Sequence, residues 1–163
     1  MKYILLLFIV LTLYLKLSKK HFDTFTNKDE NKIPKIIHQT WKTNYVPEKF
    51  QRWSKTIKEL HPDWEYKLWT DEDNRNFIKK EYPWFLKTYD GYNKNIKRVD
   101  AARYFYLYHY GGMYVDLDFV CLNSMDNLLK DKEIVLGQLE DVNHPQSIPN
   151  AIMISKPRDK FWM

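Results

Sequence analysis

Cysteine is almost absent from this chain. Cys121 stands alone among 163 residues, so no disulfide can close within the chain. That scarcity does not decide the compartment, because a secretory domain with a sufficient core needs no disulfides. Internal repeats and low-complexity tracts are also absent, which excludes a solenoid. No Ser–His–Asp or Cys–His arrangement is legible, since His38, His61, His109 and His144 are scattered along the sequence. No charge of one sign dominates: 26 basic against 21 acidic side chains leave a net charge of +5. That excess suits phosphate-bearing ligands or an anionic membrane surface, but it is spread along the chain and equally describes a solvated exterior.

A hydrophobic run of full membrane-spanning length is missing too. The segment at 3–17, YILLLFIVLTLYLKL, is nearly all apolar. At 1.5 Å per residue it reaches roughly 22 Å, short of the ~30 Å hydrocarbon core. A short signal anchor over 1–18 is the favoured reading, with Lys16 snorkelling and Tyr14 at the interface. A cleaved signal peptide is the alternative, and Ser18-Lys19-Lys20 makes a poor cleavage site for it. Lys2 precedes the segment while Lys16, Lys19 and Lys20 follow it, so the positive-inside rule points the body toward the cytosol.

What is present reads as one α/β domain. Residues 19–32 are polar and charged and form a linker, leaving 33–163 as the domain. Ile33, Ile36 and Ile37 mark a short buried strand. Val46-Pro47 opens a helix whose Phe50, Trp53, Ile57 and Leu60 share one face, and His61-Pro62 stops it. The alternation over 64–69 predicts a strand, and Thr70 with Asp73 predicts a capping box at the head of the next helix. Tyr82-Pro83-Trp84 breaks or re-enters that helix. The longest helix is expected from about Asn95 to Tyr110, ended by Gly111-Gly112. A strand over 113–122 and two more within EIVLGQLE and NAIMISKP complete an order that predicts a largely parallel sheet.

If 113–122 is one strand, Tyr114, Asp116 and Asp118 share a side, with Met113, Val115, Leu117 and Phe119 opposite. Two neighbouring carboxylates repel unless a cation joins them, and hard oxygen ligands suit Mn²⁺ or Mg²⁺. A divalent ion there would serve a diphosphate leaving group. Asp-x-Asp alone is a weak motif, and solvated aspartates at a strand end are the bland alternative. Asp100 and Arg103 lie on one face of the preceding helix, either as a surface ion pair or as ligands for sugar hydroxyls and phosphates. Arg98 is a further substrate candidate or a solvated side chain.

Taken together, IPKIIHQTW at 33–41, RVDAARYFYLYHYGGMYVDLDFVCL at 98–122 and NAIMISKPRDKFW at 150–162 resemble glycosyltransferase family 32. This group carries a DXD sugar-binding region, and the resemblance covers essentially everything after the linker. It includes the initiating mannosyltransferase of yeast N-glycan outer chains and mannosyltransferases of inositol phosphorylceramide. The resemblance implies a GT-A-type, Rossmann-like nucleotide-sugar-binding fold and transfer with retention of configuration. It implies a GDP-mannose donor, with a UDP-sugar as the alternative, a glycan or inositol-lipid acceptor, and a single-pass membrane protein of the Golgi or secretory pathway. That lumenal placement conflicts with the lysine asymmetry around the anchor.

Residue by residue, the resemblance puts Gln39, Thr40 and Trp41 at the nucleotide end, with Trp41 stacked on the base or simply a core aromatic. Asp100 and Arg103 would hold the donor sugar, Tyr114 would line the pocket, and Asn150 would face the sugar. Asp116 would contact ribose or sugar hydroxyls and Asp118 would ligate the metal. Glu140 and Asp141 are further candidates. Family members continue beyond the NAIMIS stretch, so a domain incomplete in its acceptor half is expected where this chain stops at Met163.

Three other readings compete with a transferase. A sugar-nucleotide-binding pseudoenzyme would keep the donor site without turnover. A metal-dependent phosphohydrolase would want more carboxylates or histidines for a second metal. A nucleic-acid binder would interleave its aromatics with a basic stripe, whereas many here fall on apolar faces, so no nucleic-acid partner is expected.

Overall fold

The computed structural model describes residues 32–138 and 147–163. The expected anchor, all of the linker but Lys32, and the candidates Glu140 and Asp141 lie outside the described residues. Among the described residues no helix is long and apolar enough to cross a membrane.

The chain runs β1 (Ile36–Thr40), α1 (Glu48–Leu60), β2 (Glu65–Trp69), α2 (Asp71–Glu81), α3 (Leu86–Gly91), α4 (Asn95–Tyr110), β3 (Gly112–Val115), α5 (Asp126–Leu129), β4 (Ile134–Leu136) and β5 (Ile152–Ser155). A 3-10 turn at Lys160–Trp162 closes it. Pro47 sits at the cap position of α1, one residue before the first helical turn, where its missing N–H costs nothing. The capping box is complete: the Thr70 hydroxyl accepts from Asp73 N–H, and the Asp73 carboxylate accepts from Thr70 N–H at 3.0 Å.

The sheet has five strands in the order β2-β1-β3-β5-β4. β1 pairs in parallel with β2 and β3, whereas β5 runs antiparallel to both β3 and β4. The expectation of a largely parallel sheet therefore holds for four strand directions but not for the ladder, which is mixed because the reversed β5 is inserted between β3 and β4. Alternation along the strands divides the core into two layers. Tyr114 and Met153 face a cluster with Phe77, Ile78, Tyr89, Tyr106 and Leu107 from α2, α3 and α4. Met113, Val115 and Ile154 face Ile37, Ile57, Trp64 and Leu129 on the other side.

The strand expected over 113–122 is much shorter. β3 ends at Val115, and the Asp116 N–H donates to Ala151 O at 2.8 Å as the chain turns away. Leu117 and Asp118 form that turn, with Leu117 buried and Asp118 exposed. The two aspartates thus stand on a turn at the strand's carboxyl end, and strict alternation does not describe them. Phe119 correspondingly leaves the core and is partly exposed.

Two glycines make this end of the fold possible. Gly111 (φ 66°) terminates α4 with its N–H on Leu107 O, and Gly112 (φ 93°) starts β3 directly. A Cβ on Gly112 would sit 2.5 Å from Ile36 O, so the close approach of β3 to β1 needs glycine there.

Candidate active site

The strand order determines where a ligand can sit. From β1 the chain crosses to β2 on one side and then returns past β1 to β3 on the other. The carboxyl ends of β1 and β3 therefore flank a switch point, the habitual ligand crevice of open α/β sheets. A cavity of about 360 Å³ opens there, lined by Thr40, Trp41, Arg103, Asp116 and Asp118 among others, a size suited to a small-molecule ligand.

Arg103 organises its charged end. The side chain is buried, and its guanidinium has three partners: Nη1 donates to Asn150 O at 2.7 Å, while Nη2 forms an ion pair with Asp100 Oδ1 at 3.0 Å and Nη1 one with Asp116 Oδ1 at 3.4 Å. It also lies over the Tyr114 ring, 4.4 Å from the centroid, a cation–π contact strengthened by burial. Its Nε is buried with no partner among the described residues.

Besides Arg103, Asp116 has two further side-chain partners. Its Oδ1 accepts from the Tyr114 hydroxyl at 2.6 Å, and its carbonyl accepts from Gln39 Nε2 at 3.3 Å. Burial pushes its carboxyl above the usual range, while Tyr114 and Arg103 pull it back and Asp118 pushes it further up. Burial likewise raises the Tyr114 phenol, which therefore stays a donor. The Gln39 carbonyl oxygen in turn accepts from Ser54 and Tyr66, so Gln39 is a fixed buried strut.

These contacts sort the expected residues. Thr40, Trp41, Arg103, Asp116 and Asp118 line the cavity, and Asp100 and Asn150 flank Arg103, with Asn150 Nδ2 donating to Asp100 Oδ1 at 3.2 Å. Gln39 and Tyr114 lie beneath the cavity and hold Asp116 rather than lining it. Arg98 is the exception. Its guanidinium donates to the carbonyls of Tyr89, Asp90 and Tyr92, closing the end of α3, and it does not reach the cavity. Helical spacing could not reveal this, because the carbonyls that Arg98 meets lie in and just beyond the short α3.

Among the described residues no group of three or more His, Cys, Asp or Glu side chains gathers as a complete metal cage. Asp116 and Asp118 nevertheless fit a hard divalent cation in kind. Such ions commonly take one or two carboxylates and complete their shell with phosphate oxygens and water.

Residues 47–135 match a family described as "Glycosyltransferase sugar-binding region containing DXD motif". The chain belongs to this family. Among curated relatives it is 60% identical over 97 residues to inositol phosphoceramide mannosyltransferase 3 of Schizosaccharomyces pombe, covering 60% of this chain and 27% of that one. It is 47% identical over 140 residues to mannosyl phosphorylinositol ceramide synthase CSH1 of Saccharomyces cerevisiae, covering 86% of this chain and 36% of that one. The chain thus spans about a third of the length of these relatives. Among solved structures, the PaToxG glycosyltransferase matches with a TM-score of 0.61 at 20% identity, over 90% of this chain and 65% of its own. That likeness places the domain in a GT-A-like fold.

Within this glycosyltransferase family frame, several lining residues escaped the sequence. Lys42, Phe50, Asp71, Asn95, Ile96 and Val99 also face the cavity. The signal that could have found Asp71 was present, since the Thr70 cap places it in the loop-to-helix turn after a parallel strand. Asn95 and Ile96 gave none, being an exposed first turn of an otherwise core-forming helix.

Proposed function

We propose that this chain supplies the donor half of a retaining, metal-dependent mannosyltransferase site, moving mannose from GDP-mannose to an inositol-containing lipid or a glycan. The observation that carries the reading is the buried Arg103 guanidinium, bonded to Asp100 and facing Asp116 at the carboxyl ends of β1 and β3. Membership in a sugar-binding-region family and relatives named for mannosyl transfer to inositol phosphoceramide support the choice of sugar and acceptor.

Each residue has a physical task in this reading. Asp100 and Asn150 accept and donate bonds at the sugar hydroxyls, and Arg103 keeps that pair in place. Asp118 and Asp116 would hold the divalent cation, which when bound adds positive charge beside the diphosphate. The acceptor hydroxyl oxygen forms its bond to the anomeric carbon on the face from which the phosphate leaves. The electron pair of the broken C–O bond goes to the departing phosphate oxygen, which also takes the acceptor's proton. The protein contributes position and a preset electrostatic field, with no covalent intermediate required. The apolar run at 3–17 tethers the domain to a membrane of the secretory pathway in this proposal, near a lipid acceptor.

The test is thermal stability of the full chain against GDP-mannose and UDP-sugars, with Mn²⁺ and with chelator. A metal-dependent rise with GDP-mannose is expected. No rise with any donor in a folded sample would overturn the reading.

A further inference from the structure

The cavity runs along α4 from its first turn, where Ile96 lines it, to Arg103, which lies beside Asp116. Ile96, Trp41 and Phe50 give it an aromatic and apolar part, with the Trp41 and Phe50 rings 5.1 Å apart. Along α4 the rise from Asn95 to Arg103 is roughly 12 Å at 1.5 Å per residue, about the length of an extended nucleoside diphosphate. Phosphates beside the aspartates would therefore leave the base at the aromatic end.

At that end stands a polar pair that the donor reading leaves without a task. Asn95 Nδ2 donates to Asp71 Oδ2 at 2.8 Å, joining the first turn of α4 to the first turn of α2. The Asp71 N–H reaches back to Lys42 O, just beyond β1. Asp71 Oδ1 has no hydrogen-bond partner among the described residues, and the second Asn95 N–H has none either. An oriented carboxylate and amide thus line the cavity wall with bonding capacity to spare.

We propose that Asp71, oriented by Asn95, reads the edge of the nucleotide base and selects guanine over uracil. This rests on the donor reading above. Guanine presents N1–H and N2–H side by side, two donors that a carboxylate can accept together, with O6 next to them for an amide N–H. Uracil presents a single N–H between two carbonyl oxygens, so one of those oxygens would face the carboxylate without a proton between them. Adenine offers a bare ring nitrogen where guanine has N1–H. A polar site left unpaired by the wrong partner discriminates far better than an apolar pocket of the same shape.

The test is equilibrium binding of GDP, IDP, UDP and xanthosine diphosphate to the full chain in Mn²⁺, for the wild type, Asp71→Asn and Asp118→Ala. The wild type is expected to bind GDP most tightly, IDP more weakly for want of the 2-amino group, and UDP weakest. Asp71→Asn replaces an acceptor by a donor. It should lose roughly 10- to 100-fold for GDP, the size of one charge-assisted hydrogen bond, and gain for xanthosine diphosphate, whose C2 carbonyl can accept from the new amide. That gain cannot come from misfolding. Equal binding of GDP and UDP that is lost in Asp118→Ala would overturn the base assignment and leave the donor site standing. Unchanged GDP affinity in Asp71→Asn would do the same. A wild-type chain that binds no diphosphate would overturn both.

Discussion

At the scale of single residues, two buried polar side chains tie α4 to the sheet, and they differ in how they can fail. Arg103 is a buried cation held by a planar fork, so both its charge and its geometry matter. Arg103→Ala would leave Asn150 O and the half-buried carboxylates of Asp100 and Asp116 without their cation. We expect a loss of about 3 kcal/mol or more in urea unfolding. Arg103→Lys should recover part of that stability but little donor affinity, since a compact ammonium cannot reproduce the planar fork that reaches Asp100, Asn150 and Asp116 from two nitrogens. Equal donor affinity in the lysine variant would show that the fork is dispensable. His38 is a different case. Its Nε2 faces Gly111 O at 2.9 Å, a carbonyl that can only accept, and its Nδ1 faces Trp69 Nε1–H at 3.1 Å, which can only donate. These partners require the neutral ring protonated on Nε2, and burial accordingly lowers its pKa from 6.5 to about 4. The folded state thus resists protonation that the unfolded chain accepts. The stability from keeping the ring neutral is complete above pH 6.5 and falls away as the pH drops toward 4, by about 3 kcal/mol in all. His38→Gln keeps one donor and one acceptor without titrating. Urea melts at pH 7 and pH 4 should therefore show a steeper acid loss in the wild type, and parallel losses would refute the assignment.

At the scale of elements, the β1–β3 contact depends on the junction between α4 and β3. Gly112→Val would place a β-branched residue at φ 93° with its Cβ against Ile36 O. Strain of this kind costs about 1–3 kcal/mol before the backbone clash is counted, so a melting temperature within a degree of wild type would refute the close-packed junction. The elements near that junction were the most legible in the sequence. A sixteen-residue α4 ended by paired glycines and a Thr70–Asp73 box at the head of α2 are local signals, written in residues adjacent in the chain. What stayed hidden depends on residues far apart. The reversal of β5 follows from its insertion between β3 and β4, and no periodicity within Ile152–Ser155 encodes a direction. The early end of β3 follows from the turn at Leu117 and Asp118, where Phe119 N–H folds back on Asp116 O, although the apolar run itself continues to Leu122. The place of Arg98 was hidden for the same reason, since its carbonyl partners lie in and beyond a short helix with no signature of its own.

At the scale of the whole molecule, the site separates groups that hold the fold from groups that the fold presents. Arg103, Tyr114 and Gln39 are buried and bonded, so their removal disturbs the core and the chemistry together. Asp118 belongs to the second kind: it is exposed, lies on a turn, and has no hydrogen-bond partner among the described residues. This makes it the cleanest probe of the proposed function. Asp118→Ala should leave the unliganded melting temperature within about a degree of wild type, because exposed substitutions away from caps and ion pairs change stability by only about 0.5 kcal/mol. The wild type, at a GDP-mannose concentration 100 times its dissociation constant, should gain about 2.7 kcal/mol in Mn²⁺. The variant should gain almost none, and chelator should make the wild type behave like it. A variant that still gains fully in Mn²⁺ would mean that Asp118 is not a metal ligand. A variant that melts far below the wild type without ligand would mean that the turn after β3 carries the fold as well as presenting the site.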